Sequence, residues 1–122
     1  MIEGYNTALI GDEIAGKNPM PETTYAAELS RAWAHQRAKR YQQAAEEFKG
    51  ILLSAPTHID ALYGLALAQR GLEQIAEAEA TWEQCSALVA QALEQNPGDD
   101  RYEMLQRLIE QRLAELRLVA TS

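Results

Sequence analysis

The chain has 122 residues, 47% of them hydrophobic and only 7% aromatic, with a net charge of -7 at pH 7. One Cys excludes an intrachain disulfide framework and a Cys-based zinc cluster, and two His leave little material for a His-bound metal. The acidic balance argues against nucleic acid as the main partner, because phosphate binding needs clustered Lys and Arg, and no apolar run approaches the roughly 18 residues of a membrane span.

The apolar share rests on 21 Ala and 15 Leu, against seven Gly and four Pro. Ala and Leu lead the helix scale and β-branched residues are few, so the expected class is all-α. Residues 1–24 stand apart as an N-terminal arm, expected to be largely extended. They hold Gly4, Gly11, Gly16, Pro19 and Pro21, with scattered apolar side chains at Ile2, Tyr5, Leu9, Ile10 and Ile14. Neither a basic start nor a continuous apolar stretch marks a signal peptide here. With one free thiol to keep reduced, a cytoplasmic protein is expected.

Thr23 or Thr24 is the expected cap of a first helix, whose stripe is Ala26, Leu29 and Trp33. A turn is expected at residues 38–40. A second helix then runs from Gln42 to Leu53, with Ala44, Ala45, Phe48, Ile51 and Leu52 on one side, and Pro56 ends it. Asp60 is expected to cap and open a third helix carrying Leu62, Leu65, Ala66 and Gln69, with Gly71 marking the turn after it. The fourth carries Ile75, Ala78, Trp82, Cys85, Leu88, Val89 and Leu93, and stops at Asn96-Pro97-Gly98. Asp99 or Asp100 caps a fifth, with the stripe Tyr102, Leu105, Leu108, Ile109, Leu113 and Leu116.

The middle of the chain repeats. A shift of 34 residues lays Ala32 on Ala66, Tyr41 on Ile75, Ala44 on Ala78, Phe48 on Trp82 and Ile51 on Cys85. The size classes agree at each position: small, large, small, aromatic, medium. Small residues at 32, 44, 66 and 78 let two helices approach closely, and the aromatic at 48 or 82 fills the gap to the next hairpin. With these residues the chain resembles the tetratricopeptide repeat (TPR) family, whose period is 34 with two helices per unit. The resemblance covers roughly residues 25–96. Glu28 and Arg31 depart from it, and the second unit lacks the closing Pro at the expected place. It implies a helical-hairpin solenoid of about five helices over residues 25–122: repeats 25–58 and 59–96 and a capping helix 100–118, whose wet side carries Arg101, Arg107, Arg112, Glu103, Glu110 and Glu115.

No motif of catalysis is present: no phosphate loop, no Gly-x-Ser-x-Gly, no His-Glu-x-x-His, no Cys-x-x-Cys. No catalytic, metal or cofactor residue is therefore assigned, and no enzyme is expected. Cys85 takes a core repeat position, where a free thiol is ordinarily inert. His35 lies among Arg31 and Lys39, a poor setting for a metal. His58 and Asp60 are two ligands on a turn, too few for a site.

The TPR resemblance implies a concave groove lined by the first helix of each unit, at Ala26, Leu29, Trp33, Gln36 and Arg37 and at Asp60, Tyr63, Leu67, Arg70 and Gly71. Leu29, Trp33, Arg37, Tyr63, Leu67 and Arg70 are the expected contact residues for another protein or peptide segment, as in an adaptor, assembly factor or scaffold. Aromatics and Arg are the residue types that anchor interfaces. The family members that hold a chaperone's C-terminal carboxylate use Lys and Asn where this chain has Leu29, Trp33 and Gly64. That clamp is missing, so a chaperone tail is not the expected partner. Charge is segregated: residues 25–58 carry five bases and three acids, residues 59–100 one base and eight acids. The basic cluster Arg31, Arg37, Lys39 and Arg40 opposes Glu73, Glu77, Glu79 and Glu83. The alternative expectation is therefore a homo-oligomer steered by complementary fields, in which the arm fills its own or a neighbour's groove.

Overall fold

The computed structural model describes residues 25–120. The arm 1–24, with the caps expected at Thr23 or Thr24, lies outside the described residues. The described chain is all-α: α1 (Ala26–Arg37), α2 (Tyr41–Ser54), α3 (Ile59–Gly71), α4 (Ile75–Gln95) and α5 (Asp100–Ala120). Connections at 38–40, 55–58, 72–74 and 96–99 are too short for anything but a reversal, so each helix packs on the next in sequence, and α1 also touches α3.

The 34-residue period extends to the backbone. Lys39 N–H donates to Gln36 O at 3.0 Å and Arg40 N–H to His35 O at 2.8 Å. Thirty-four residues on, Glu73 N–H donates to Arg70 O at 3.0 Å and Gln74 N–H to Gln69 O at 2.9 Å. Lys39 and Glu73 share the same left-handed conformation, φ 62°. The turn expected at Gly71 is thus made by Glu73. Gly71 itself closes α3 beneath the ring of Tyr41, where an added Cβ would stand 2.6 Å from ring carbons. α4 departs from the period: it has 21 residues where α2 has 14. The extra two turns explain why no Pro closes the second unit at the expected place.

The core lies on both sides of α3. Ala61, Leu65 and Ala68 join Ala32, Ala44, Ala45, Phe48 and Ile51 of α1 and α2. Leu62 and Ala66 join Ala78, Trp82, Cys85 and Val89 of α4 and Ile109, Leu113 and Leu116 of α5. Two buried sides explain why α3 reads as nearly continuous Ala and Leu rather than as one stripe. Ala32, Ala44, Ala66 and Ala78 are each wholly buried. Phe48 is wholly buried as well, a burial worth about 1.5–3 kcal/mol over an exposed ring. Gly64 gives that ring its place: a Cβ there would overlap it.

α3 is capped by His58, not by Asp60. His58 Nδ1 accepts the Ala61 N–H at 3.1 Å in a buried position, while Asp60 already lies inside the helix. Asp99 caps α5 as expected, accepting the Arg101 N–H at 3.0 Å. Several opposed charges are satisfied within the fold. Arg31 of α1 meets Glu47 of α2 at 3.3 Å, and Arg117 of α5 lies between Glu79 and Glu83 of α4 at 3.3 and 3.5 Å.

Candidate groove

Trp33 and Tyr63 stand beside the core and border open space at once. The Trp33 ring meets Phe48 edge-on at 5.1 Å, and Tyr63 meets Trp82 the same way at 4.7 Å. Such aromatic pairs contribute about 0.5–1.5 kcal/mol beyond their burial. Leu29 packs on the first core and Leu67 on the second, both half-buried. In the 34-residue register Leu29 corresponds to Tyr63 and Trp33 to Leu67. Each unit therefore offers one aromatic and one Leu on this side, in opposite order.

Trp33 and Tyr63 share a cavity of about 390 Å³ with Ile59 and Asp60 of α3 and with Arg101, Tyr102, Leu105 and Leu108 of α5. Three helices that are not neighbours in sequence thus contribute to one apolar recess with an acid and a base among its walls. A Cβ at Gly64 would point at Phe48 and one at Gly71 at Tyr41, so neither glycine borders it, contrary to the groove position expected for Gly71. Arg37 and Arg70 are exposed in the last turns of α1 and α3, outside the recess, with no ion pair among the described residues.

α5 supplies half of the recess and carries none of the six expected contacts. Its sequence signal was present. Neighbouring helical residues point about 100° apart, so Leu108 and Ile109 cannot share a stripe. Ile109, Leu113 and Leu116 face α4 and are buried, while Leu105 and Leu108 turn toward α3 and the recess. Arg112, expected on the wet side, lies on that second face. Glu115 at 3.1 Å and then the Tyr63 phenol stabilise its charged form.

Three buried side-chain polar atoms have no hydrogen-bond partner among the described residues: Gln36 Oε1 of α1, His58 Nε2 at the head of α3 and Arg112 Nε of α5. None of the three residues lines the recess.

A second cavity, about 510 Å³, opens between α1 and α2. Its walls include Glu28, Glu46, Glu47 and His35, and none of the six expected contacts. Glu47 is held by Arg31, and His35 Nδ1 accepts from Arg40 Nε at 3.1 Å. Among the described residues no group of three His, Cys, Asp or Glu is placed to hold a metal ion. Cys85 is buried with its Sγ 3.7 Å from Ile59 O. Burial, and then the Asp60 carboxylate, push its thiol up to about 12, so it is no nucleophile at neutral pH. Among the described residues no helix is long and apolar enough to cross a membrane. Comparison with protein-family models, curated proteins and solved structures gives no match.

Proposed function

We propose that the chain is a TPR-like protein–protein interaction module that takes a peptide segment of a partner into the recess between α1, α3 and α5. The observation that carries this reading is the recess itself, where Trp33, Tyr63, Tyr102, Leu105 and Leu108 converge from three helices. Aromatic and aliphatic anchors around a concave site are how interfaces concentrate their binding energy. The 34-residue repetition of the turn hydrogen bonds and the buried Ala pairs support the TPR-like part of the reading. Trp33 and Tyr63 border the site, whereas Leu29 and Leu67 pack on the two cores and are not among its walls. Arg37 and Arg70 follow in the last turns of α1 and α3, outside the recess.

The role is adaptor or scaffold rather than catalysis, in a cytoplasmic setting that suits one buried thiol. Replacing Trp33 or Tyr63 tests this poorly, because each ring also packs on a fully buried aromatic. Leu108→Arg is the cleaner variant, since Leu108 borders the recess from α5 and is only half-buried. The experiment is affinity capture with mass spectrometry, wild type against Leu108→Arg. Partners of the groove are lost from the variant while its helicity and melting midpoint stay within error. An unchanged partner set overturns the groove reading.

A further inference from the structure

We propose that the chain forms an antiparallel homodimer through the outer face of α5, with Gln111 of the two copies at its centre. In a row of stacked helices the outermost one keeps a polar outer face, because nothing in the row covers it. α5 departs from that rule. Four large hydrophobic side chains are exposed among the described residues; Leu53 is on α2, and Met104, Leu118 and Val119 are all on α5. Met104 is 57% and Leu118 70% exposed. Met104, Gln111 and Leu118 follow at seven-residue steps, which on a helix trace one line along its surface. That line lies opposite the side on which Ile109, Leu113 and Leu116 are buried, and none of its three residues borders the recess.

The charges beside the line select the occupant. Arg107 and Glu115 lie one turn before and one turn after Gln111, and both are exposed. Arg107 has no ion pair among the described residues. Glu115 meets Arg112 at 3.1 Å, and a carboxylate keeps lone pairs for a second base. A two-fold axis through Gln111 sets each residue before it level with the residue equally far after it in the second copy. Arg107 then faces Glu115 of the second copy, and Met104 faces its Leu118, each pairing occurring twice. A parallel pair would instead set Arg107 on Arg107 and Glu115 on Glu115, which like-charge repulsion disfavours. The face is complementary to itself in the antiparallel orientation, as a contact between two identical patches requires. The opposed charge clusters expected to steer self-association are in part used within one copy, where Arg31 pairs with Glu47, and Glu79 and Glu83 with Arg117. The α5 face draws on neither cluster. One helix pair lies at the low end of specific interfaces, below about 1,200 Å², so the dimer is weak and concentration-dependent.

Sedimentation equilibrium of the full chain, from micromolar to millimolar concentration at low and high salt, tests the proposal. The wild type should pass from monomer to dimer, and should need more protein to do so when salt screens the two ion pairs. Arg107→Glu alone and Glu115→Arg alone each bring like charges together twice, and each should weaken the dimer by about tenfold or more. An equal mixture of the two variants restores both pairs and should associate at least as well as the wild type. Helicity and melting midpoint in dilute solution should stay those of the wild type, because both side chains are exposed. A wild type that remains monomeric throughout overturns the proposal. So does a dimer that either reversal leaves as strong as before, which would place the contact on another face, and so does a mixture that associates no better than its components. Neither substituted residue borders the recess, so these outcomes leave the groove reading to its own experiment.

Discussion

Gly50→Ala and Gly64→Ala are the same chemical change in two helices of this fold, and they should move stability in opposite directions. Both glycines are helical, and each costs about 0.5–1 kcal/mol against Ala through backbone entropy. An added methyl at Gly50 meets nothing within 4 Å, so the gain stands alone. The melting midpoint should rise by about 2–8 °C at the roughly 4–8 °C per kcal/mol of a domain this size. At Gly64 the methyl enters the volume of the Phe48 ring. That ring is fully buried and has Trp33 against it, so it has nowhere to retreat. Overpacking of this kind costs about 1–3 kcal/mol, and a rigid ring with backbone behind the intruder belongs at the upper end. Subtracting the entropy gain leaves a loss of about 2 kcal/mol, or roughly 8–16 °C. Circular dichroism melts at 222 nm of the two variants decide it. Phe48→Leu in the Gly64→Ala background should recover part of the loss by making room. If Gly64→Ala stabilises as Gly50→Ala does, Phe48 does not lie on Gly64, and the packing of α2 on α3 is wrong.

Three further outcomes follow from local geometry. His58→Ala removes the side-chain acceptor at the head of α3 and should cost about 0.5–2 kcal/mol in urea denaturation, while His58→Asn, itself a capping residue, should cost less. Cys85 should resist a thiol reagent at neutral pH in the native chain and react only at the rate of opening; reaction as fast as in the urea-unfolded chain would contradict its burial. The Asp99 carboxyl is held below its ordinary value of 3.8 mainly by the Arg101 side chain. A group depressed in the folded state adds stability above its unfolded pKa and loses it as pH falls through the folded one. Asp99→Asn should therefore flatten the stability curve below about pH 4 and leave its slope near neutrality unchanged, as read from urea midpoints across pH.

The helices were legible because Ala and Leu recur at helical spacing in all of them, and the close contacts at 32, 44, 66 and 78 were legible because only small residues recur there. The details that escaped have physical reasons. An imidazole caps α3 through Nδ1, and nothing in the sequence separates such a histidine from an ordinary one, whereas Asp60 two residues later is the commoner cap type. Gly71 reads as a turn residue, yet its smallness serves the Tyr41 ring while Glu73 takes the left-handed backbone. The apolar positions of α5 read along the sequence as a single stripe, which hides the face toward the recess. Arg31, Glu79 and Glu83 belong in the sequence to two opposed charge clusters, and in the fold they pair with Glu47 and Arg117, which lie outside those clusters.

α3 has seven buried residues and a core on each side, whereas α1 and α5 each pack one face on the rest. In such a row of helices, opening proceeds from either end without first disturbing the middle. Amide exchange should be slowest in α3 and fastest in the outer helices, and contacts confined to near neighbours should allow rapid folding. The recess draws its walls from α1, α3 and α5, so it joins the two easily opened ends of the molecule to its most persistent helix. A guest bound there would slow exchange most at the two ends, and least in α3, which is already the most protected helix.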